Sequence, residues 1–219
     1  MAGSEACPAI LCDFDGTVTL EEVSVGLLKR YAAQEWERAD SDLNSGRTSL
    51  RETMAREFCT LRAPRKELES WVRTVRLRPG FRELAAEARR NEAPLTIASE
   101  GLDFYIKAFL VHQGIAVPFR TNHAVFTANG LCVEHPYSSP ECDFCGTCKK
   151  ALLDRFKSES FTTVYVGDGI SDRCPARYAD MLFARGGLLE FCEKEGIPCI
   201  AYLDFFDVLK VLERRFWGK

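Results

Sequence analysis

Six side chains from four separate stretches could do chemistry together if folding unites them: Asp13 and Asp15 in "DFDGT", Ser99, Lys149, and Asp168 and Asp172 in "GDGISD". They supply four carboxylates, one hydroxyl and one ammonium. Carboxylates packed together raise each other's pKa unless a cation neutralises them. Oxygen ligands without histidine suit a hard cation such as magnesium. A lysine and a hydroxyl beside such an ion suit an anionic, oxygen-rich group, and phosphate fits that description. An aspartate there could act as nucleophile and carry a covalent phosphoryl group, while the metal and the lysine spread the charge of the transferring group.

These residues need elements to position them. Ala9 to Phe14 is a short apolar run suited to a buried parallel strand. Leu95 to Ser99, Phe161 to Val166, Met181 to Ala184 and Pro198 to Tyr202 are further strands, each followed by helical spacing. Ala124 to His135 contains Asn129-Gly130, a hairpin signal. Strands alternating with helices imply a parallel sheet with helices on both faces. Sites in such sheets lie beyond the carboxyl ends of the strands, where Asp13, Ser99 and Asp168 fall.

Between the first two strands the spacing is helical throughout: Glu21 to about Leu43, Ser49 to Leu61, a helix opened by Pro64, and Phe81 to Arg90. The fold expected is α/β: a Rossmann-like parallel sheet flanked by helices, with a small inserted α-helical cap and a β-hairpin flap. Residues 1–19 and 79–219 would form the core and residues 20–78 the cap.

A chain of 219 residues suits one domain or one domain with an insert. Its net charge of −3 implies no general attraction to nucleic acid or to an anionic membrane. No apolar stretch is long enough for a bilayer, and Met1 to Pro8 has no targeting character. Ten cysteines without a secretion signal suggest reduced thiols and a cytoplasmic setting. The oligomeric state stays open, a homodimer included. The expected partner is a small-molecule phosphoester.

The four motifs, in this order and spacing, resemble those of the haloacid dehalogenase-like phosphatase superfamily across nearly the whole chain. The helical insert resembles the small cap of its phosphoserine phosphatase branch. "SEGLDFYI", "CDFCGTCKK" and "YLDFFDVLKVL" resemble the methionine-salvage phosphatases that act on 2-hydroxy-3-keto-5-methylthiopentenyl-1-phosphate. The resemblance implies Asp13 as nucleophile and Asp15 as general acid and then base. Asp15 would also offer its backbone carbonyl to the metal. Asp168 would ligate magnesium, with Asp172 at or near the ion. Ser99, Glu100 and Lys149 would hold phosphate, with Gly16 and Thr17 turning the backbone around it. Glu22, Arg51 and Arg56 are the candidates for substrate specificity.

Several readings compete. Residues 47–90 hold twelve Lys or Arg against six Glu, which could draw anions to the cap or simply line a solvated helix face. Cys142, Cys145 and Cys148 could bind zinc with Cys132 or His135, or form a loop of reduced thiols. Rival functions are a phosphoserine phosphatase, a phosphoethanolamine/phosphocholine phosphatase, and a zinc- or redox-sensing protein on a phosphatase scaffold.

Overall fold

In the computed structural model, which describes residues 7–32, 36–127 and 130–218, the chain is organised around strand β1 (Pro8–Cys12), whose five residues are all buried. Two parallel neighbours flank it, β2 (Leu95–Leu102) and β5 (Thr162–Gly167). The sheet continues outward as β3 (Phe119–Thr127) and β4 (Gly130–Glu134) on one side and β6 (Met181–Ala184) and β7 (Ile200–Ala201) on the other. All pairings are parallel except the β3–β4 hairpin. Its expected turn residue Asn129 lies outside the described residues.

Side chains alternate across β1 as the pleat demands. Ile10 and Cys12 enter the larger apolar cluster, while Ala9 and Leu11 enter a second on the opposite face. The first face carries the helices α5 (Phe81–Arg90), α6 (Asp103–Gln113) and α10 (Phe205–Leu212). The second carries α7 (Lys149–Ser158) and α9 (Gly186–Glu195). The chain leaves β1 towards β2 and returns on its other side as β5. Their carboxyl ends diverge there and leave a crevice.

Between β1 and α5 lie α1 (Val23–Tyr31), α2 (Trp36–Asn44), α3 (Leu50–Phe58) and α4 (Arg65–Val72). The single helix expected from Glu21 to about Leu43 is two helices. Ala32 is extended and bridges Leu61, which ends α1. Ser49 and Glu52 form a capping box that starts α3. Trp71 lies so close over Gly26 that a Cβ there would sit 2.2 Å from its ring, which brings α4 onto α1.

The two chain crossings at the base of this helical unit pair with each other. Thr19 bridges Leu77, Leu20 N–H donates to the Arg76 carbonyl, and Arg78 N–H donates to that of Val18. At the far rim, Leu43 and Leu50 pack on Cys145, Cys142 and Ile170 of the core, and Arg51 N–H donates to the Phe144 carbonyl at 3.0 Å. The helical unit therefore covers the carboxyl ends of β1, β2 and β5. No helix among the described residues is long and apolar enough to cross a membrane.

Candidate active site

Lys149, the first residue of α7, is 2 % exposed. Its ammonium lies 2.9 Å from Asp13 Oδ1 and 2.6 Å from Asp172 Oδ1, and it donates to Ser171 Oγ. Burial alone would push the lysine down, but the two carboxylates raise it above its ordinary value. It stays charged. Asp13 ends β1, and its carboxyl is raised well above the usual range, first by burial and then by Asp172, against the pull of Lys149.

Asp172 is saturated with donors. Lys149, Ser171 and Tyr165 donate to Oδ1, and the backbone N–H groups of Asp168 and Gly169 donate to Oδ2. Burial works against its charge, yet Lys149 and these donors hold it below the carboxylate range. Asp168 accepts from Thr17 Oγ1 at 2.6 Å, and burial together with Asp172 pushes it up to about 6. The carboxylates of Asp13, Asp168 and Asp172 can place one oxygen each within 4.8 Å of one another. Among the described residues Lys149 is the one cation paired directly with these carboxylates, and an all-oxygen donor set suits a hard divalent cation. Magnesium fits this set.

Asp15 joins the end of β1 to α1. Its Oδ1 accepts from the N–H groups of Val23 (2.7 Å) and Ser24 (3.3 Å), the open N-terminus of α1, and its Oδ2 accepts from Tyr105 Oη at 2.8 Å. The helix α1 has no side-chain cap of its own, so Asp15 fills that role from the core. Burial raises the Asp15 carboxyl to about 6 despite these donors. Glu22 lies beside the same turn. A Cβ on Gly16 would sit 2.3 Å from Asp168 Oδ2 and 2.4 Å from Glu22 Oε1, and Gly16 has φ +71°. Both the turn and the crowding require glycine. Burial, followed by Asp15 and Asp168, pushes Glu22 up to about 8. Ser99 Oγ accepts from Gly101 N–H at 2.9 Å, which leaves the hydroxyl hydrogen available to a ligand.

Other expected residues are placed differently. The Glu100 carboxylate is not turned to a phosphate; it accepts from Gly146 N–H (3.0 Å) and Thr147 N–H (3.1 Å) and so fixes the loop before Lys149. The Thr17 hydroxyl donates to Asp168 Oδ1, so the part of Thr17 left for a phosphate is its backbone, as expected of the turn. Arg51 donates to the carbonyls of Cys142 and Cys145, so it ties α3 to the thiol loop. Arg56 is 44 % exposed and paired with Asp42 at the surface. Neither guanidinium is free to select a substrate.

Of the two readings of the thiol loop, zinc binding gains no support from the structure. The Asp13–Asp168–Asp172 group is the metal-competent cluster among the described residues. Cys145 is packed with Leu43 and Leu50, Cys132 is exposed, and His135 Nδ1 is hydrogen-bonded to Asn122 Oδ1.

Residues that spacing did not single out complete the site. Arg78, counted above among the cap's basic residues, is 4 % exposed and donates to the carbonyls of Gly16, Thr17, Thr19 and Leu203. Arg185 donates to the Gly16 carbonyl from the other side. Together they set the turn after β1. Tyr105 and Tyr165 each give a phenol to an active-site aspartate. Asn122, fully buried, bridges the Glu100 carbonyl and His135.

A site in which carboxylates are pushed up by burial should depend on pH and metal in a definite sense. Asp15 and Asp168, each raised to about 6, bind protons more tightly folded than unfolded. Their contribution favours folding at low pH and is lost as pH rises from the ordinary carboxylate range through about 6. Metal-free protein is therefore expected to melt at higher temperature at about pH 5.5 than at about pH 7.5. Added magnesium should narrow that gap by stabilising the pH 7.5 sample. Calorimetry with and without chelator checks this; metal-free stability rising across the window would contradict it.

Comparison with known proteins gives a consistent result. The family model described as "Putative Phosphatase" matches residues 9–189. The protein of Geobacillus kaustophilus named 2-hydroxy-3-keto-5-methylthiopentenyl-1-phosphate phosphatase is 35% identical over 94% of this chain and 95% of its own. The bifunctional enzyme MtnB/MtnX of Bacillus licheniformis is 33% identical over 94% of this chain and 49% of its own. Among solved structures, a phospho-aspartyl intermediate analogue of phosphoserine phosphatase superposes with a TM-score of 0.71 at 20% identity, covering 94% of this chain and 99% of that one. A haloacid dehalogenase family hydrolase from Salmonella enterica serovar Typhi gives 0.73 at 18%, covering 97% and 72%. At those identities the likeness is one of fold.

Proposed function

The chain belongs to the "Putative Phosphatase" family of haloacid dehalogenase-like phosphatases, and from that membership we propose that it hydrolyses 2-hydroxy-3-keto-5-methylthiopentenyl-1-phosphate through a covalent phosphoryl group on Asp13. The observation that carries the mechanism is the buried Asp13–Lys149 pair at the end of β1. The near full-length relation to the G. kaustophilus enzyme supports the substrate.

In the first step an Asp13 oxygen attacks phosphorus and the bond to the leaving oxygen breaks. Asp15 delivers its proton to that oxygen. In the second step Asp15 takes a proton from water, the water oxygen attacks phosphorus, and the acyl phosphate releases phosphate and restores Asp13. Lys149 and the Ser99 hydroxyl hold the oxygens of the transferring group. Asp13, Asp168 and the Asp15 backbone carbonyl would hold magnesium, with Asp172 orienting Lys149 and the loop of Asp168. The ion, when bound, supplies positive charge against the phosphoryl oxygens and the crowded carboxylates.

Residues 20–78 are proposed to act as one cap that closes over the leaving group. The paired crossings at Thr19 and Leu77 support this boundary. We assign the choice of leaving group to Glu22, and the nearness of its Oε1 to the Gly16 turn supports this. Its carboxyl is also what an ammonium-bearing substrate would meet, which favours a phosphoserine- or phosphoethanolamine-type phosphatase as the second reading. Glu22→Ala should change the ranking of substrates by about 10-fold or more while leaving phosphate release in place. The measurement is kcat/KM on the methionine-salvage ester, phosphoserine and phosphoethanolamine. An equal loss on all three would place Glu22 in the common machinery instead.

A further inference from the structure

The role proposed for Asp15 demands that one carboxyl oxygen hold a proton and point at the leaving oxygen. The structure distinguishes its two oxygens. Oδ1 is filled by the N–H groups of Val23 and Ser24. Oδ2 has a single partner, the Tyr105 hydroxyl at 2.8 Å, and so keeps one lone pair for a proton. Tyr105 stands in α6, fully buried, with its ring held between Phe14 and Phe104 at centroid distances of 6.0 and 5.4 Å.

The chain also reserves space for this contact. A Cβ on Gly101 would sit 1.9 Å from Tyr105 Oη and 3.1 Å from Asp15 Oδ2. Gly101 has no positive φ to explain its glycine. Its missing side chain is the room in which the phenol and the carboxylate meet.

The geometry points to Tyr105 as a positioning residue for the general acid: its hydroxyl locks the Asp15 side chain so that Oδ2 carries the proton passed to the leaving oxygen. Gly101 makes the lock possible. This rests on the assignment of Asp15 as acid in the proposed function. Without the phenol, Asp15 keeps its two Oδ1 partners but Oδ2 is free to turn away from the leaving oxygen.

The consequence is leaving-group dependence, which a merely structural residue would not produce. Phenyl phosphate needs a proton on departure far more than p-nitrophenyl phosphate does. Tyr105→Phe keeps the ring and its packing. It should lower kcat/KM, which reports transfer from the ester to Asp13, by about 10–100-fold on phenyl phosphate and by about 3-fold or less on p-nitrophenyl phosphate. Gly101→Ala, which pushes on the phenol directly, should bias the two substrates in the same direction. Replacing Tyr105 by 3-fluorotyrosine, which keeps the donor, should restore the wild-type ratio.

Asp15→Asn is the control. If it shows strong leaving-group dependence and Tyr105→Phe loses both substrates equally or neither, Tyr105 has no positioning role and the inference is overturned. If Asp15→Asn itself treats the two esters alike in kcat/KM, the acid assignment fails and the inference fails with it.

Discussion

Asp13→Asn should abolish turnover, by about 10⁴-fold or more, while the protein stays folded and melts at an equal or higher temperature. The amide keeps the shape of the side chain but is a far weaker nucleophile toward phosphorus. The unusual part of the expectation is the stability. Asp13 is buried and pushed well above the carboxylate range by burial and by Asp172, so its charge is a strain in the metal-free site. Removing that charge leaves Lys149 still paired with Asp172 at 2.6 Å. Phosphate release and calorimetry on the same preparation check both halves. Turnover close to wild type in a folded variant would remove Asp13 from the centre of the mechanism.

The opposite substitution in the same cluster should behave in the opposite way. Lys149→Met removes the one ammonium that faces Asp13 and Asp172. Taking away one partner of a buried ion pair leaves an uncompensated charge and costs about 3–5 kcal/mol. Here two carboxylates lose their partner together, so the loss of activity should come with a clear fall in melting temperature. The sign with pH follows from the carboxyls. Without Lys149 Asp13 is driven further up and Asp172 loses the ammonium that holds it down, so the folded variant takes up protons more readily, and its deficit should shrink as pH falls towards about 5. Magnesium should recover stability but not phosphate binding. Denaturant unfolding of the two variants side by side, at about pH 7.5 and about pH 5.5, tests the pattern. A Lys149→Met protein as stable as wild type at the higher pH would mean that the cluster's charges are balanced by something other than Lys149.

The chemistry of the site was readable in the chain because its central residues follow short apolar strands. Asp13 after Pro8–Cys12 and Asp168 after Thr162–Gly167 are put at the sheet's crevice by the parallel pairing alone. Lys149 could be placed because it opens a helix. The residues that orient these groups left no such trace. Tyr105 and Asp15 are 90 positions apart, and Arg78 grips a loop some 60 positions upstream. Each has a type that an ordinary core or helix face also contains, and only the folded chain shows the partner.

The helices between β1 and α5 were the least legible part. Their helical spacing is clear, but the break between α1 and α2 depends on Ala32 meeting Leu61, a contact set by packing. The guanidinium of Arg51 was legible as a charge and not as a tie to the carbonyls of Cys142 and Cys145. Glu100 shows the same limit. Its neighbour Ser99 accepts from Gly101 N–H, while its own carboxylate turns to the amides of Gly146 and Thr147 because those donors lie within reach on the adjoining loop.

The central claim is a phosphoryl group carried on Asp13, and reductive trapping tests it most directly. Borohydride converts an aspartyl phosphate to homoserine, which peptide mass spectrometry locates by residue. With magnesium and a turning-over phosphoester, homoserine should appear at position 13 and be missing when the metal is chelated or Asp13 is replaced by Asn. Homoserine at Asp15, Asp168 or Asp172 instead, or none at any of them during steady turnover, would contradict the account.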